Sequence, residues 1–471
     1  MTLLLLVPLA GLILLLALPS RWARAVALFT TAAHGAIAVD HLRRFQPEAA
    51  LRGFGFLERL PWIPSFGAQY LVGVDGYSLL LVVMTSLVTL VALVACTSIT
   101  ERLKEYYAAM LVLLAAMTGV FISLDLLLFF LFWELTLIPM YLIIAVWGGT
   151  NRAYASMKFL IYTNLGSVLM LIGILALRLN GGTFDYFELL RQPGGEWVFW
   201  AFLAGFAVKV PMIPVHTWLP DAHTEAPTAG SVILAGVLLK MGLYGLTRFA
   251  LPLAPPSPAV LTGLCVASVV AIIYGGLVCL MQQDWKRLIA YSSVSHMGFC
   301  TLVLFVMTRD GLVGSMLQQI NHAVTTGLLF LVIGAAYDRT HTREIARYSG
   351  LLRSMPRLGV LFLIAILGSM GMPPLNGFVG EFTILRGVAG VSTGWAVALV
   401  VGVALGAAYL LWLYQRTMLG EPREQLADLN ATEMVAMVPL AVLTVLLGVV
   451  PGPFFRLLEP VAEVVLKGLG R

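Results

Sequence analysis

The sequence predicts an all-α integral membrane protein of about fourteen transmembrane helices, with two inverted five-helix repeats that each contain a broken helix. Three observations lead there. Of the 471 residues, 60% are hydrophobic and only 11% charged, with a mean hydropathy of +0.93, a composition outside the range of water-soluble domains. Apolar runs long enough to cross a hydrocarbon core roughly 30 Å thick, about 20 residues each as helix, recur from end to end. Two of these runs, containing "FAVKVPMIPVHTWLP" and "GSMGMPPLNGFVGEFTILRG", set prolines beside a charged residue.

The opening "MTLLLLVPLAGLILLLALP" lacks the basic start and small-residue cleavage site of a signal peptide, and reads as a retained first span. Punctuation by Pro, Gly and charge then places spans near 2 to 19, 22 to 40, 76 to 98, 105 to 122, 124 to 146, 153 to 178 and 197 to 221. Seven more follow near 229 to 250, 257 to 281, 285 to 306, 311 to 337, 358 to 388, 392 to 415 and 432 to 452. The spans group as an N-terminal three-helix segment (1–104), a first five-helix repeat (105–250), a second, inverted one (257–415), and a C-terminal helix with its tail (416–471).

The net charge of +5 comes from loop arginines, which report topology before any nucleic-acid partner. Fifteen basic residues fall in connections on one face and twelve on the other, but seven of the twelve lie in the 41–75 loop or the C-terminal tail. The remaining fifteen against five favour both termini on the non-cytoplasmic side of a plasma membrane. Cys96, Cys265, Cys279 and Cys300 lie far apart within apolar runs, which points to packing rather than disulfides, zinc or an iron–sulfur cluster. No Walker A or G-x-G-x-x-G pattern occurs, so nucleotide chemistry, if relevant, would happen in another chain.

The charges within the spans are the informative ones. Of the 29 basic residues, Lys209 and Lys240 are the two placed near the middle of a span, the seventh and the eighth. Glu134 has a similar depth in the fifth span and Glu381 lies in the twelfth. One charge at a helix centre costs about 2.5–3.5 kcal/mol on insertion scales, which demands pairing, internal water or neutralisation. His296 follows Ser292 and Ser293 at helical spacing, and His322 follows Gln318 and Gln319, giving two polar stripes. Such stripes can tie helices together by hydrogen bonds. Two lysines and two glutamates exceed what cohesion requires and suit proton transfer.

Pro211 and Pro214 remove backbone donors and predict two half-helices joined near Lys209. Pro373 and Pro374, with Gly371 and Gly377, predict the same in the twelfth span. Kinks made for packing alone would leave the coincidence of charge and break unexplained. Irregular backbone at membrane depth is tolerated where it is buried or lines a hydrated cavity. Five crossings separate the two breaks, so they run in opposite directions, the pattern of inverted repeats flanking a transport site.

"KVPMIPVHTWLPDAHTEAPT", "AGVLLKMGLYGLTRF", "DWKRLIAYSSVSHMGF" and "MPPLNGFVGEF" resemble the antiporter-like membrane subunits of proton-pumping NADH:quinone oxidoreductase, respiratory complex I, over nearly the whole chain. Within that family the sequence is most similar to the M chains, since Glu381 stands where L and N chains carry lysine. The resemblance implies that Glu134 is the carboxylate of span five and Lys209 its partner. It implies that Lys240 is the connecting lysine, His296 and His322 link the half-channels, and Glu381 is the exit-side carboxylate. The fourth span, "YYAAMLVLLAAMTGVF", lacks a midplane glutamate that some members carry.

The resemblance further implies a non-redox subunit of a proton-translocating enzyme, with no cofactor of its own. NADH, FMN, iron–sulfur clusters and quinone would belong to partner subunits, and neighbouring antiporter-like chains and the lipid bilayer would surround it in a prokaryotic plasma membrane. Rival readings are a subunit of a multisubunit sodium/proton antiporter, a hydrogenase-linked ion pump, and a structural scaffold.

Overall fold

The computed structural model describes residues 1–49, 53–96 and 99–469. Among them, eleven helices are long and apolar enough to cross a membrane, and Thr2–Ala17 is a shorter apolar helix. Two further spans are built in halves, Glu196–Lys209 with Trp218–Glu225 and Pro356–Ser369 with Asn376–Ala389. Together these make the fourteen spans that the apolar runs anticipate. Polar caps fix several of their starts. Asp75 and Ser78 form a capping box on Gly76–Ala95, Asp125 accepts from the amides of Leu127 and Leu128, and Asn430 pairs with Glu433 ahead of Ala431–Val449.

The inverted repeat is visible in the backbone. Asp125 bridges Asp185, and 159 residues later Asp284 bridges Glu344. Around the breaks the offset is 160: the amide of Met212 reaches back to the carbonyl of Ala207 at 2.7 Å, and that of Met372 to Leu367 at 3.0 Å. Each is a five-residue reach where an α-helix would make a four-residue one. In the first break the freed carbonyl of Val208 accepts from Trp218 Nε1 at 2.8 Å. In the second, Asn321 Nδ2 donates to the carbonyl of Asn376 at 2.7 Å. A backbone carbonyl beside each break therefore finds a side-chain partner.

Three elements depart from the sequence reading. The fifth span is interrupted, as Leu126–Leu135 and Leu137–Trp147, where Thr136 closes a tighter turn onto the carbonyl of Trp133. The 41–75 loop contains an antiparallel hairpin of Gly55–Ile63 and Ala68–Val74, with Leu60 opposite Tyr70, closed by Gly67 at φ 69°. Strand periodicity is invisible to a search for long apolar runs. The C-terminal tail forms a helix, Gly452–Gly468, which buries Leu458, Val461, Ala462 and Val465 and pairs Glu459 and Glu463 with Arg309. It carries Arg456, Glu459, Glu463 and Lys467 beside one apolar stripe, the mark of a helix docked along a surface rather than a span.

Arg248 corrects the census of intramembrane charge. Read as a helix-end residue, it is 1% exposed and ion-paired to Asp75, with its guanidinium 4.7 Å from the Phe54 ring centre and 5.5 Å from that of Tyr244. Lys286, at the start of the tenth span, is also buried and donates to the carbonyl of Ala226 at 2.7 Å.

Candidate functional site

Lys209 closes the first half of the broken seventh span and is 2% exposed. Its Nζ donates to Thr136 Oγ1 at 3.3 Å and lies 5.0 and 5.8 Å from the ring centres of Trp133 and Phe159. Hydroxyl and aromatic faces thus replace part of the ammonium's hydration. Glu134 lies in sequence between Trp133 and Thr136, both of which meet the Lys209 ammonium, but no ion pair joins it to Lys209. Its Oε1 is buried without a hydrogen-bond partner among the described residues. The interrupted fifth span explains the arrangement, because it turns Thr136, rather than Glu134, onto the ammonium.

The second group is continuous. Lys240 sits just after a π-helical stretch, Leu234–Leu238, in the eighth span, and its Nζ contacts the carbonyl of Ala235. The same Nζ is 2.8 Å from His322 Nδ1 on the eleventh span. The rings of His322 and His296 are 5.7 Å apart between centres. His296 Nδ1 is 3.6 Å from Glu381 Oε1, and its Nε2 is 3.3 Å from Ser369 Oγ, at the end of the first half of the twelfth span. Gln318 Nε2 donates to Glu381 Oε1 at 3.3 Å. Four of the six residues singled out by sequence therefore form one buried file across four helices, and Glu134 with Lys209 forms a separate group.

Gly371 holds the end of that file open. It adopts φ 74°, where L side chains are strained, and a Cβ there would collide with Glu381 Oε2. Gly371→Ala is expected to destabilise the chain by about 1–3 kcal/mol and to displace the carboxylate. A thermal-unfolding series in detergent checks the first effect, and proton transfer by the assembled complex checks the second.

Sequence reasoning missed a third polar group. Asp221 Oδ2 accepts from Lys158 Nζ at 2.7 Å, and Arg287 Nη2 lies 3.2 Å from Asp221 Oδ1. Lys158 and Arg287 are among the fifteen basic residues that the sequence reading places in connections on one face, and Asp221 lies in the motif "KVPMIPVHTWLPDAHTEAPT" without a role. The signal was available: 160 residues separate Asp221 from Glu381 and Lys158 from Gln318. His216 and His223 were also passed over; both are buried, and neither has a hydrogen-bond partner for its ring nitrogens among the described residues.

Comparison with known proteins gives this geometry its family. Residues 123–406 match the family model described as NADH:quinone oxidoreductase/Mrp antiporter, TM. NADH-quinone oxidoreductase subunit M of Rhodobacter capsulatus is 44% identical over 462 residues, covering 93% of this chain and 90% of that one. A chain of respiratory complex I from Thermus thermophilus superposes with a TM-score of 0.91 at 34% identity, covering 100% of this chain and 99% of that chain. A chain of the Mrp complex from Dietzia sp. DQ12-45-1b shares the fold, with a TM-score of 0.86 at 21% identity and coverage of 100% and 98%. With the family model matching more than half of its length, the chain belongs to the NADH:quinone oxidoreductase/Mrp antiporter family of membrane subunits, and within it groups with subunit M.

Proposed function

We propose that this chain carries protons across a prokaryotic plasma membrane as a non-redox subunit of an NADH:quinone oxidoreductase. The observation that carries the reading is the buried file Lys240, His322, His296 and Glu381, whose members can all take up and release a proton. With both termini on the non-cytoplasmic side, protons enter the first repeat from the cytoplasm toward Lys209 and Lys240. They pass laterally through His322, His296 and water, and leave by Glu381. NADH, FMN, iron–sulfur clusters and quinone belong to partner subunits, and redox chemistry there drives the transfer through neighbouring membrane chains.

The role of Glu134 is to bias Lys209. Moving its carboxylate toward the ammonium favours the protonated form, and moving it away favours release. The absence of a direct ion pair leaves that distance free to change. Replacing Lys209 with Met, or Glu134 with Gln, is expected to lower the number of protons moved per electron pair while the complex still assembles and reduces quinone. Wild-type stoichiometry in both variants would overturn the assignment.

A further inference from the structure

We propose that Lys158 and Asp221 form a proton-uptake latch, which holds the aromatic pair Phe159 and Trp218 as a plug over Lys209. This rests on the proton-translocation reading above, and it assigns a site to residues that had none. The latch residues are partly exposed, at 19% for the Lys158 side chain and 16% for that of Asp221, whereas Lys209 is sealed. Between them lies Phe159, next to Lys158 in sequence, whose ring is 5.8 Å from the Lys209 ammonium on one side and 5.3 Å from the Trp218 ring on the other. Trp218 is fully buried and stands one helical turn before Asp221 on the second half-helix, Trp218–Glu225.

Beside the apolar packing of Trp218 and Leu219, polar and breakable contacts tie this half-helix to its neighbours at the latch. Lys158 binds Asp221 from the sixth span and Arg287 binds it from the tenth, while Tyr162 Oη and Thr217 Oγ1 are 2.9 Å apart. His216, in the break itself, has Tyr274 and Tyr291 beside its ring. The internal repeat shows what the latch changes. In the second repeat, at the offset of 160, the counterpart pair is Gln318 and Glu381, which is neutral on one side, and the counterpart of Trp218 is Phe378. One repeat has an ionic clasp where the other has an amide, and each carries an aromatic ring one helical turn before its carboxylate.

The step balances simply. A proton from water binds the Asp221 carboxylate, cancelling its attraction to Lys158 and Arg287. The half-helix loosens, Trp218 parts from Phe159, and the proton passes inward to a neutral Lys209 amine, restoring the carboxylate and the clasp. Protonation removes the charge to which both Lys158 and Arg287 are drawn, so a single proton on Asp221 is the trigger that opens the clasp.

The test uses the complete complex reconstituted in vesicles, with protons moved per electron pair and passive proton leak as readouts and Lys209→Met as reference. Asp221→Asn is expected to lower the ratio to the level of Lys209→Met, and Asp221→Glu to restore it. Lys158→Gln, which copies the second repeat, and Trp218→Ala are expected to raise passive leak severalfold, and Lys209→Met added to either should remove that leak. If Asp221→Asn, Lys158→Gln and Trp218→Ala keep wild-type ratio and leak while Lys209→Met loses the ratio, the latch is wrong. If Lys209→Met also keeps the wild-type ratio, the translocation reading itself falls.

Discussion

Glu381→Gln is expected to slow proton passage through this chain by about 100-fold or more, the scale on which a positioned proton carrier contributes. Glutamine keeps the shape and can still accept from Gln318, so loss of function would report loss of the titrating group rather than of packing. His296 would keep Ser369 as a neighbour and lose the carboxylate 3.6 Å from its Nδ1. Vesicles containing the complex should show fewer protons ejected per NADH oxidised, while quinone reduction persists. Glu381→Asp, a methylene shorter against a 3.6 Å separation, should retain part of the activity. An unchanged ratio in Glu381→Gln would remove Glu381 from the path.

The second large effect concerns stability. Arg248→Leu strands Asp75, a buried carboxylate that also caps the third span, and is expected to destabilise the chain by about 3–5 kcal/mol. Asp75→Asn should preserve the cap, because Asn is as good an N-cap as Asp. The double variant Asp75→Asn, Arg248→Leu is therefore expected to recover much of the loss, since neither charge is left alone. Thermal unfolding of the four proteins in detergent gives the coupling energy directly. Additive effects would show that the pair does not act as a unit.

Much of the architecture was legible because a bilayer restricts the choice. Twenty apolar residues in a row have no other stable fate than a spanning helix, so the count of spans follows from composition and punctuation. The two breaks were legible for a similar reason, since paired prolines cannot continue the hydrogen-bond ladder. The hairpin at Gly55–Val74 and the helix at Gly452–Gly468 were not, because neither crosses the membrane and each takes its order from partners elsewhere in the chain. Asp185 meets Arg59 of the hairpin at 2.6 Å, and Arg309 meets Glu459 of the helix at 3.1 Å.

The site divides along the same line. Its charged members could be named from sequence, because a lysine, glutamate or histidine at membrane depth is costly and demands a reason. Their order could not. Residues 82 apart in sequence, Lys240 and His322, meet at 2.8 Å, while Glu134 and Lys209 share a neighbourhood without touching. Sequence by itself determined which residues carry protonable groups and which helices must break, since both follow from local chemistry against hydrocarbon. Only the tertiary structure decided that Arg248 is buried, that Thr136 faces Lys209, and that Lys158 clasps Asp221. Each of those facts depends on how one helix is rotated against another, and packing in three dimensions sets that rotation.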